Sequence, residues 1–246
     1  IIKNNPKIYL GFSDTTTMNY LCLKAGIVSF YGPSVLFGLA ENGGIDQYTL
    51  SYIKKMLFSA DSPGEIENNP LGWTLDKVPW EKQYSALKRK MQKPIAADFI
   101  QGESIVEGNL IGGCMEVLEF MKGTVLWPDK KIWEDAILLL EISEEKPSPT
   151  TVKYWLRNYG AQGILKLLKG IIFAIPGGDI PFDDPDYDKK LKEHLASFSK
   201  YDETLLKVSK EYGREDLPII TKVQFGHIAP MITFPIGVKA KINCTA

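Results

Sequence analysis

The chain has 246 residues, of which 44% are hydrophobic and 24% charged, and its formal net charge is −1. This composition is ordinary for a globular protein and allows one large domain or two smaller ones. The balanced charge provides no basic field, so we expect neither a nucleic-acid partner nor an anionic membrane partner. No apolar run reaches the length of a membrane-spanning helix. The three cysteines are scattered and form no CxxC pair, which argues against a disulfide scaffold or zinc knuckle and predicts a cytoplasmic protein.

The first part of the chain has the pattern of a parallel α/β unit. Residues 7–11 are a short apolar run, residues 15–25 have helical spacing and end at Gly26, and "IVSFYGP" is a second apolar run. Two buried strands around a helix predict a βαβ unit. A further helix is predicted in "YTLSYIKKMLF", and the turn-forming residues of "SADSPGEIENNPLG" predict a linker or loop after it.

The remaining sequence predicts a second α/β unit. A glycine turn that opens a helix is expected in "EGNLIGGCMEVLEFMKGT", and "DAILLLE" is a continuous apolar run typical of a strand buried on both faces. The segment "SPTTVKYWLRNYGAQG" predicts a helix, and "LLKGIIFAIPGG" predicts a strand with a turn. The charged segment "YDKKLKEHLASFSKYDETLLKVSKEYG" predicts a long, mostly solvent-facing helix or helix pair. The end of the chain alternates short strands with glycine and proline.

Ser13 lies in "GFSDTT", between the first predicted strand and the first predicted helix. A serine on a tight turn at the carboxyl end of a parallel strand exposes its hydroxyl beside amide N–H groups, which suits a nucleophile. The alternative is that Ser13 or Asp14 only caps the helix. Because helix caps are common and nucleophiles are rare, the local sequence alone favours the cap.

A serine nucleophile needs a base, and the chain has two histidines. His194 lies among the charges of the predicted long helix, so we expect it to be exposed. His227 lies between strand-like segments, where a base and a satisfied core histidine are equally good interpretations. If a triad is present, His227 is the base. Glu141, at the end of the run "AILLL", would orient that base from the same edge of the sheet as Ser13.

Trp73 and Trp80 flank "TLDKVP" in the predicted linker. Tryptophans on a loop either cover a core or stack on a ligand, and the sequence does not decide between the two. The Gly112-Gly113 pair matches neither phosphate-binding fingerprint, so it is a weak indicator of phosphate binding.

Six segments, in order along nearly the whole chain, carry a resemblance to a known family. They are "NPKIYLGFSDTT", "FYGP", "PLGWTLDKVPW", "IGGCMEVLEFMKGT", "LLLE" and "GHIAPMITFPIG". Together they resemble the LD-carboxypeptidase family of serine peptidases, and more closely its branch of microcin C self-immunity proteins. The set and its order make the resemblance specific, whereas any single segment would be weak.

The resemblance implies a Ser-Glu-His triad formed by Ser13, Glu141 and His227. It also implies that the backbone N–H of Asp14 is one of two oxyanion donors. Ser13 is then a nucleophile, and capping becomes a minor role that it shares with Asp14.

Two substrate-binding residues follow from the same resemblance. Trp73 matches a tryptophan of the immunity branch that closes over the site and stacks on the nucleotide part of the substrate, a contact worth roughly 1–3 kcal/mol per base. Glu116 matches a substrate-binding position, where an acid suits recognition of an amino group.

The resemblance implies an α/β fold with two parts. Residues 1–63 would be the remainder of a parallel-sheet, flavodoxin-like N-terminal domain with its linker. Residues 64–246 would be a mixed α/β C-terminal domain that carries the acid and the base. The N-terminal part of the family fold, which supplies the second oxyanion amide, has no counterpart before Ile1, so we expect upstream sequence to be missing.

Three functions are hypotheses at this stage. The first is a serine amidase, free of metal and cofactor, that cleaves the amide between an aminoacyl group and a nucleotide-like part. Its partner would be a small peptide or peptidyl-nucleotide. The second is a carboxypeptidase that releases the terminal D-alanine of a murein tetrapeptide, and Trp73 favours the first over it. The third is a truncated binding module without activity. The resemblance also implies a homodimer.

Overall fold

The computed structural model, which describes residues 1–245, has a mixed α/β fold, as the sequence predicts. The strands are β1 (Leu10–Gly11), β2 (Ser29–Tyr31), β3 (Asp76–Lys77), β4 (Asp98–Gln101), β5 (Ile105–Cys114), β6 (Ala136–Glu141), β7 (Gly170–Ala174), β8 (Ile180–Pro181), β9 (Ile219–Val223), β10 (Phe234–Ile236) and β11 (Lys239–Asn243). The helices are α1 (Thr16–Lys24), α2 (Gln47–Leu57), α3 (Met115–Met121), α4 (Lys130–Trp133), α5 (Pro149–Ala161) and α6 (Tyr187–Glu211).

A six-stranded sheet with the order β11-β5-β6-β7-β9-β4 organises the core. Strands β5, β6, β7 and β9 are parallel neighbours, and antiparallel β11 and β4 form the edges. Every residue of β6 is buried, and its side chains alternate between two apolar clusters. Leu138 and Leu140 pack in the cluster that includes α5 and α6, whereas Ile137 and Leu139 pack in the other. The predicted strand buried on both faces is therefore confirmed.

A smaller sheet with the order β1-β2-β10 holds the start of the chain. Strands β1 and β2 are parallel and are joined through α1, so the predicted βαβ unit is confirmed. Strand β10 pairs with β2 in the antiparallel direction. Because β10 comes from the end of the sequence, this sheet joins residues from both parts of the predicted division at residue 63, which stays a prediction.

Gly112 and Gly113 lie inside β5 and do not form the glycine turn that the sequence predicts. Both have a positive φ, at 139° and 144°, where side chains are strained. A Cβ on Gly112 would lie 1.8 Å from the carbonyl oxygen of Leu139, and one on Gly113 would lie 2.7 Å from a side-chain carbon of Thr16. The two glycines therefore let β6 and α1 approach the end of β5, and α3 begins directly after it.

The long charged segment forms one helix, α6, and not a helix pair. Most of its residues are not buried, in agreement with the predicted solvent-facing helix, whereas Phe198, Tyr201, Leu205 and Val208 on its inner side are buried. These residues recur at helical spacing and pack against the core. Within residues 1–245, no helix combines the length and the hydropathy that crossing a membrane would require.

Candidate active site

Ser13 occupies a short helical turn, Ser13–Thr15, between β1 and α1. Its φ is +59°, in the left-handed region that non-glycine residues seldom adopt. Such a conformation costs on the order of 1–3 kcal/mol and persists only where the surroundings hold it. Neither this turn nor α1 receives a side-chain cap, so the capping interpretation of Ser13 and Asp14 is not observed.

The structure places the three predicted triad side chains in one row. The Oγ of Ser13 lies 3.0 Å from Nε2 of His227, and Nδ1 of His227 lies 2.8 Å from Oε2 of Glu141. Glu141 is the last residue of β6 and is fully buried, so its charge is shielded from water. The ring of Phe12 packs edge-on against the imidazole at 4.9 Å. This row has the geometry needed to move a proton from a hydroxyl to a base.

Local sequence explains why His227 can approach Glu141 so closely. Gly226 precedes the histidine with a φ of +77°. A Cβ at that position would lie 2.6 Å from Cγ and Cδ of Glu141, so no other residue fits without displacing the carboxylate.

Tyr31, at the end of β2, is a fourth member of the site that the sequence did not assign. Its hydroxyl donates a hydrogen bond to Oε1 of Glu141 and accepts one from the backbone N–H of Ser13 at 3.1 Å. A signal was present, because Tyr31 lies in the quoted "FYGP" segment at the end of a buried strand. A lone tyrosine at a strand end, however, is usually explained by packing.

The amides of the Ser13 turn are unequally available. The N–H of Ser13 donates to Tyr31, and the N–H of Thr15 donates to the carbonyl of Phe12 at 3.2 Å. The N–H of Asp14, which the sequence resemblance assigns to the oxyanion, lies between these two engaged amides. Its assignment stays a prediction.

Carboxylates dominate the electrostatics around His227. Burial lowers the pKa of this imidazole, but the charges of Glu141, Glu144 and Glu116 outweigh burial and raise the pKa to about 9. Oε2 of Glu144 lies 3.3 Å from the same Nε2 that faces Ser13. The imidazole is therefore mainly protonated at neutral pH. Glu144 and Ser13 then compete for the hydrogen bond from Nε2–H of His227.

Glu116, in the first turn of α3, is anchored by protein groups. Its Oε1 accepts hydrogen bonds from the N–H and the hydroxyl of Ser143 at 2.9 and 2.6 Å. The thiol of Cys114 donates to Oε2 at 3.3 Å. The fixed carboxylate contributes to the acidic wall beside His227, and its predicted role in recognising an amino group stays a prediction.

Trp73 does not lie open to a ligand. It is 1% exposed, and its ring packs against the rings of His194 and Phe198. Neighbouring side chains cover the ring in this structure, and the stacking of Trp73 on a substrate base stays a prediction. Trp80, farther along the same segment, is 57% exposed.

His194 is buried, so the prediction that it is exposed is wrong. It lies one turn before Phe198 on the inner face of α6, and its Nε2 is 3.0 Å from the carbonyl oxygen of Pro176. Burial lowers the pKa of His194 to about 4, and the charge of Lys146 acts in the same direction. The imidazole is therefore neutral at physiological pH, and its contacts are those of a residue that stabilises the fold.

One group of potential metal donors lies within the described residues, formed by Cys114, Glu141 and His227, whose donor atoms lie within 4.8 Å of one another. The oxygens of Glu141 already accept hydrogen bonds from Tyr31 and His227. Burial, followed by the charges of Glu141 and Glu116, raises the pKa of the Cys114 thiol far above its usual range. A neutral thiol and an occupied carboxylate suit proton transfer better than metal coordination.

A serine on a strand-to-helix turn, aligned with a histidine and a buried carboxylate, is the arrangement typical of serine hydrolases. A family model described as the LD-carboxypeptidase C-terminal domain matches residues 107–242, more than half of the chain. The chain belongs to the LD-carboxypeptidase family.

Individual relatives agree with this family. The microcin C7 self-immunity protein MccF of Escherichia coli is 25% identical over 240 residues, which cover 97% of this chain and 63% of that protein. The solved structure of an MccF-like protein from Streptococcus pneumoniae in complex with AMP is 29% identical, with a TM-score of 0.74 over 97% of this chain and 67% of that one. An MccF-like protein from Bacillus anthracis is 27% identical, with a TM-score of 0.74 over 98% of this chain and 66% of that one. The chain thus spans less than two thirds of the length of the curated relative.

Proposed function

We propose that the protein is a serine-type hydrolase that cleaves an amide bond. Ser13 is the nucleophile, His227 the general base and Glu141 the group that orients the base. The observation that carries this proposal is the unbroken row of contacts at 3.0 and 2.8 Å from Ser13 through His227 to Glu141. Family membership supports it, because the matched family is named for a peptidase activity.

The reaction follows from the positions of these atoms. Neutral His227 takes the hydroxyl proton at Nε2 while Oγ of Ser13 attacks the amide carbon, a step in which general-base catalysis typically contributes about 10²–10⁴-fold. Glu141 stabilises the imidazolium through Nδ1–H. The imidazolium then gives its proton to the leaving amine. In the second step, His227 takes a proton from the water that attacks the acyl carbon, and returns it to Oγ of Ser13 as the acyl group leaves. The N–H of Asp14 is the proposed amide donor to the oxyanion, a contact typically worth about 10²–10³-fold in kcat.

The substrate that we propose is an aminoacyl group joined through an amide to a nucleotide-like part. Two relatives support it: the Escherichia coli protein is named for microcin C7 self-immunity, and the Streptococcus pneumoniae structure contains AMP. In this chain, the carboxylates of Glu116 and Glu144 beside His227 suit a substrate ammonium group. The buried Trp73 gives this proposal no support.

A second candidate is release of terminal D-alanine from an L,D-linked murein tetrapeptide. The match of residues 107–242 to the LD-carboxypeptidase C-terminal domain favours it. The burial of Trp73 also favours it, because a ring covered by neighbouring side chains presents no open face to a nucleotide base.

A turnover assay with both substrates separates the candidates. Purified protein is incubated with an aminoacyl sulfamoyl adenosine and, separately, with the tetrapeptide, and products are measured by mass spectrometry. Ser13→Ala serves as the inactive control. Cleavage of the adenosine compound, lost in Ser13→Ala, supports the first candidate. Cleavage of the tetrapeptide alone replaces it with the second, and cleavage of neither contradicts the proposed activity.

A further inference from the structure

The buried hydroxyl of Tyr31 connects the turn that holds the nucleophile to the acid of the triad. We propose that Tyr31 is a positioning residue that holds Ser13 and Glu141 in register, an inference that rests on the proposed function of the site. Tyr31 does so through one oxygen, which accepts from the Ser13 N–H and donates to Glu141.

The two partners of the hydroxyl are far apart in sequence and come from different sheets. Ser13 follows β1 of the small sheet, and Glu141 ends β6 of the large one. Tyr31 ends β2, where it pairs in register with Gly11 and Phe234. The hydroxyl is therefore a direct hydrogen-bonded link between the two sheets at the edge where the triad lies.

The tyrosine ring itself is fixed. It is fully buried, and Phe225 packs edge-on against it at a centroid distance of 6.3 Å. Gly113 passes so close that a Cβ there would lie 3.1 Å from Cε2 of Tyr31. A ring held on several sides places its hydroxyl within a narrow range, which is the property that a positioning group requires.

Each of the two hydrogen bonds has a separate consequence. The bond from the Ser13 N–H helps to hold a serine whose φ of +59° is intrinsically unfavourable. The bond to Oε1 fixes the carboxylate so that Oε2 faces Nδ1 of His227. Without the phenol, a fully buried carboxylate would have the imidazole as its remaining side-chain partner among the described residues.

The phenol remains a neutral donor throughout the working pH range. Burial raises the pKa of Tyr31 well above its ordinary value, and the charge of Glu141 raises it further. The titratable groups around the triad are Glu141 on β6, Glu144 after β6, Glu116 on α3 and Cys114 on β5. None of them donates a hydrogen bond to Oε1 of Glu141, so none can replace the bond that is lost when the Tyr31 hydroxyl is removed.

Tyr31→Phe removes the hydroxyl and retains the ring. We expect kcat to fall by up to about 100-fold, because small displacements of reacting groups have effects of this size. KM should change little, since Tyr31 is buried behind the triad. The acid limb of the rate profile should move to higher pH, by up to about one pH unit, because the carboxylate then relies on the imidazolium and holds its proton more tightly.

A direct test that requires no turnover is the titration of the two imidazoles by NMR on isotope-labelled protein, with His194→Gln assigning the signals. The matched control is Tyr20→Phe, because Tyr20 is equally buried and its hydroxyl has no hydrogen-bond partner among the described residues. The His227 pKa should rise in Tyr31→Phe and stay unchanged in Tyr20→Phe. Site-specific 3-fluorotyrosine at position 31, a stronger donor of the same shape, should lower it.

Each outcome decides the proposal. A His227 pKa that is the same in wild type, Tyr31→Phe and the fluorotyrosine protein would overturn it. A reduced rate in Tyr31→Phe that reflects only a smaller folded fraction, with an unchanged pH profile, would also overturn it. If Tyr31→Phe does not fold, the fluorotyrosine protein still reports the predicted lowering or its absence. If wild type cleaves no substrate, the proposed function fails while the titration still measures the link from Tyr31 to the imidazole.

Discussion

Replacing Glu144 with glutamine should increase activity at neutral pH. Glu144 lies 3.3 Å from Nε2 of His227 and is one of the carboxylates that raise the imidazole pKa to about 9. A general base has to be neutral to accept the serine proton. Glu144→Gln removes a charge that favours the imidazolium but leaves the residues of the triad in place.

The magnitude follows from the neutral fraction of His227. With a pKa of about 9, roughly 1% of the imidazole is neutral at pH 7. Each unit by which the pKa falls raises that fraction about tenfold until the pKa approaches the assay pH. The predicted profile of kcat/KM therefore rises with pH up to about 9 in the wild type, and its acid limb moves to lower pH in Glu144→Gln.

The assay is a pH–rate profile of kcat/KM, measured with a substrate that has no free amino group so that any contact of Glu144 with an ammonium does not contribute. Glu145→Gln is the control, because Glu145 is the exposed neighbour in the same loop and is not one of the three carboxylates named above that raise the pKa of His227. An acid limb that is unchanged in Glu144→Gln, or that moves to higher pH, would refute the electrostatic account of the site.

The other predictions concern Ser13 and three buried or exposed rings. Ser13→Ala should abolish turnover while leaving ligand binding largely intact, which calorimetric titration would measure. Trp73→Ala should lower the free energy of unfolding by about 3–5 kcal/mol, because it empties a core position, whereas Trp80→Ala should leave stability nearly unchanged; denaturant titration of both variants checks this. His194 has a pKa of about 4 in the folded state against an ordinary value of 6.5, so the unfolded chain takes up its proton first as the pH falls. Stability should therefore fall by about 3 kcal/mol as pH falls from 6.5 to 4, and His194→Gln should remove much of this loss in acid denaturation curves.

The sequence predicts strands and helices well where one physical signal dominates. The run "AILLL" has no polar residue to face water, so a strand buried on both faces follows directly. The βαβ unit follows from two short apolar runs around a helical segment. Local sequence makes Ser13, Glu141 and His227 candidates, because they are polar groups at the ends or junctions of predicted strands. It favours a helix cap for Ser13 and leaves His227 open, so the triad is implied only by the family resemblance. Their spacing in the structure, by contrast, depends on the pairing of strands that are distant in the chain.

The sequence fails where burial depends on tertiary contacts. His194 lies among charged residues in the sequence and Trp73 lies in a predicted linker, yet the two rings pack against each other and against Phe198. The helical spacing of apolar residues predicts that α6 has a buried face. It does not predict which further residues of α6, such as His194, are buried by neighbouring segments. The sequence also does not predict the role of Tyr31, because its hydrogen bonds join Ser13 and Glu141, which are distant in the chain and belong to different sheets.

The most direct test of the central claim is to identify the residue that carries the acyl group during turnover. The protein is mixed with substrate, quenched in acid within the first turnovers, digested and analysed by peptide mass spectrometry. The account predicts the acyl mass on the peptide of residues 8–24, localised to Ser13. An acyl group on any other residue would contradict the assignment of Ser13 as the nucleophile, as would product formation by Ser13→Ala at the wild-type rate.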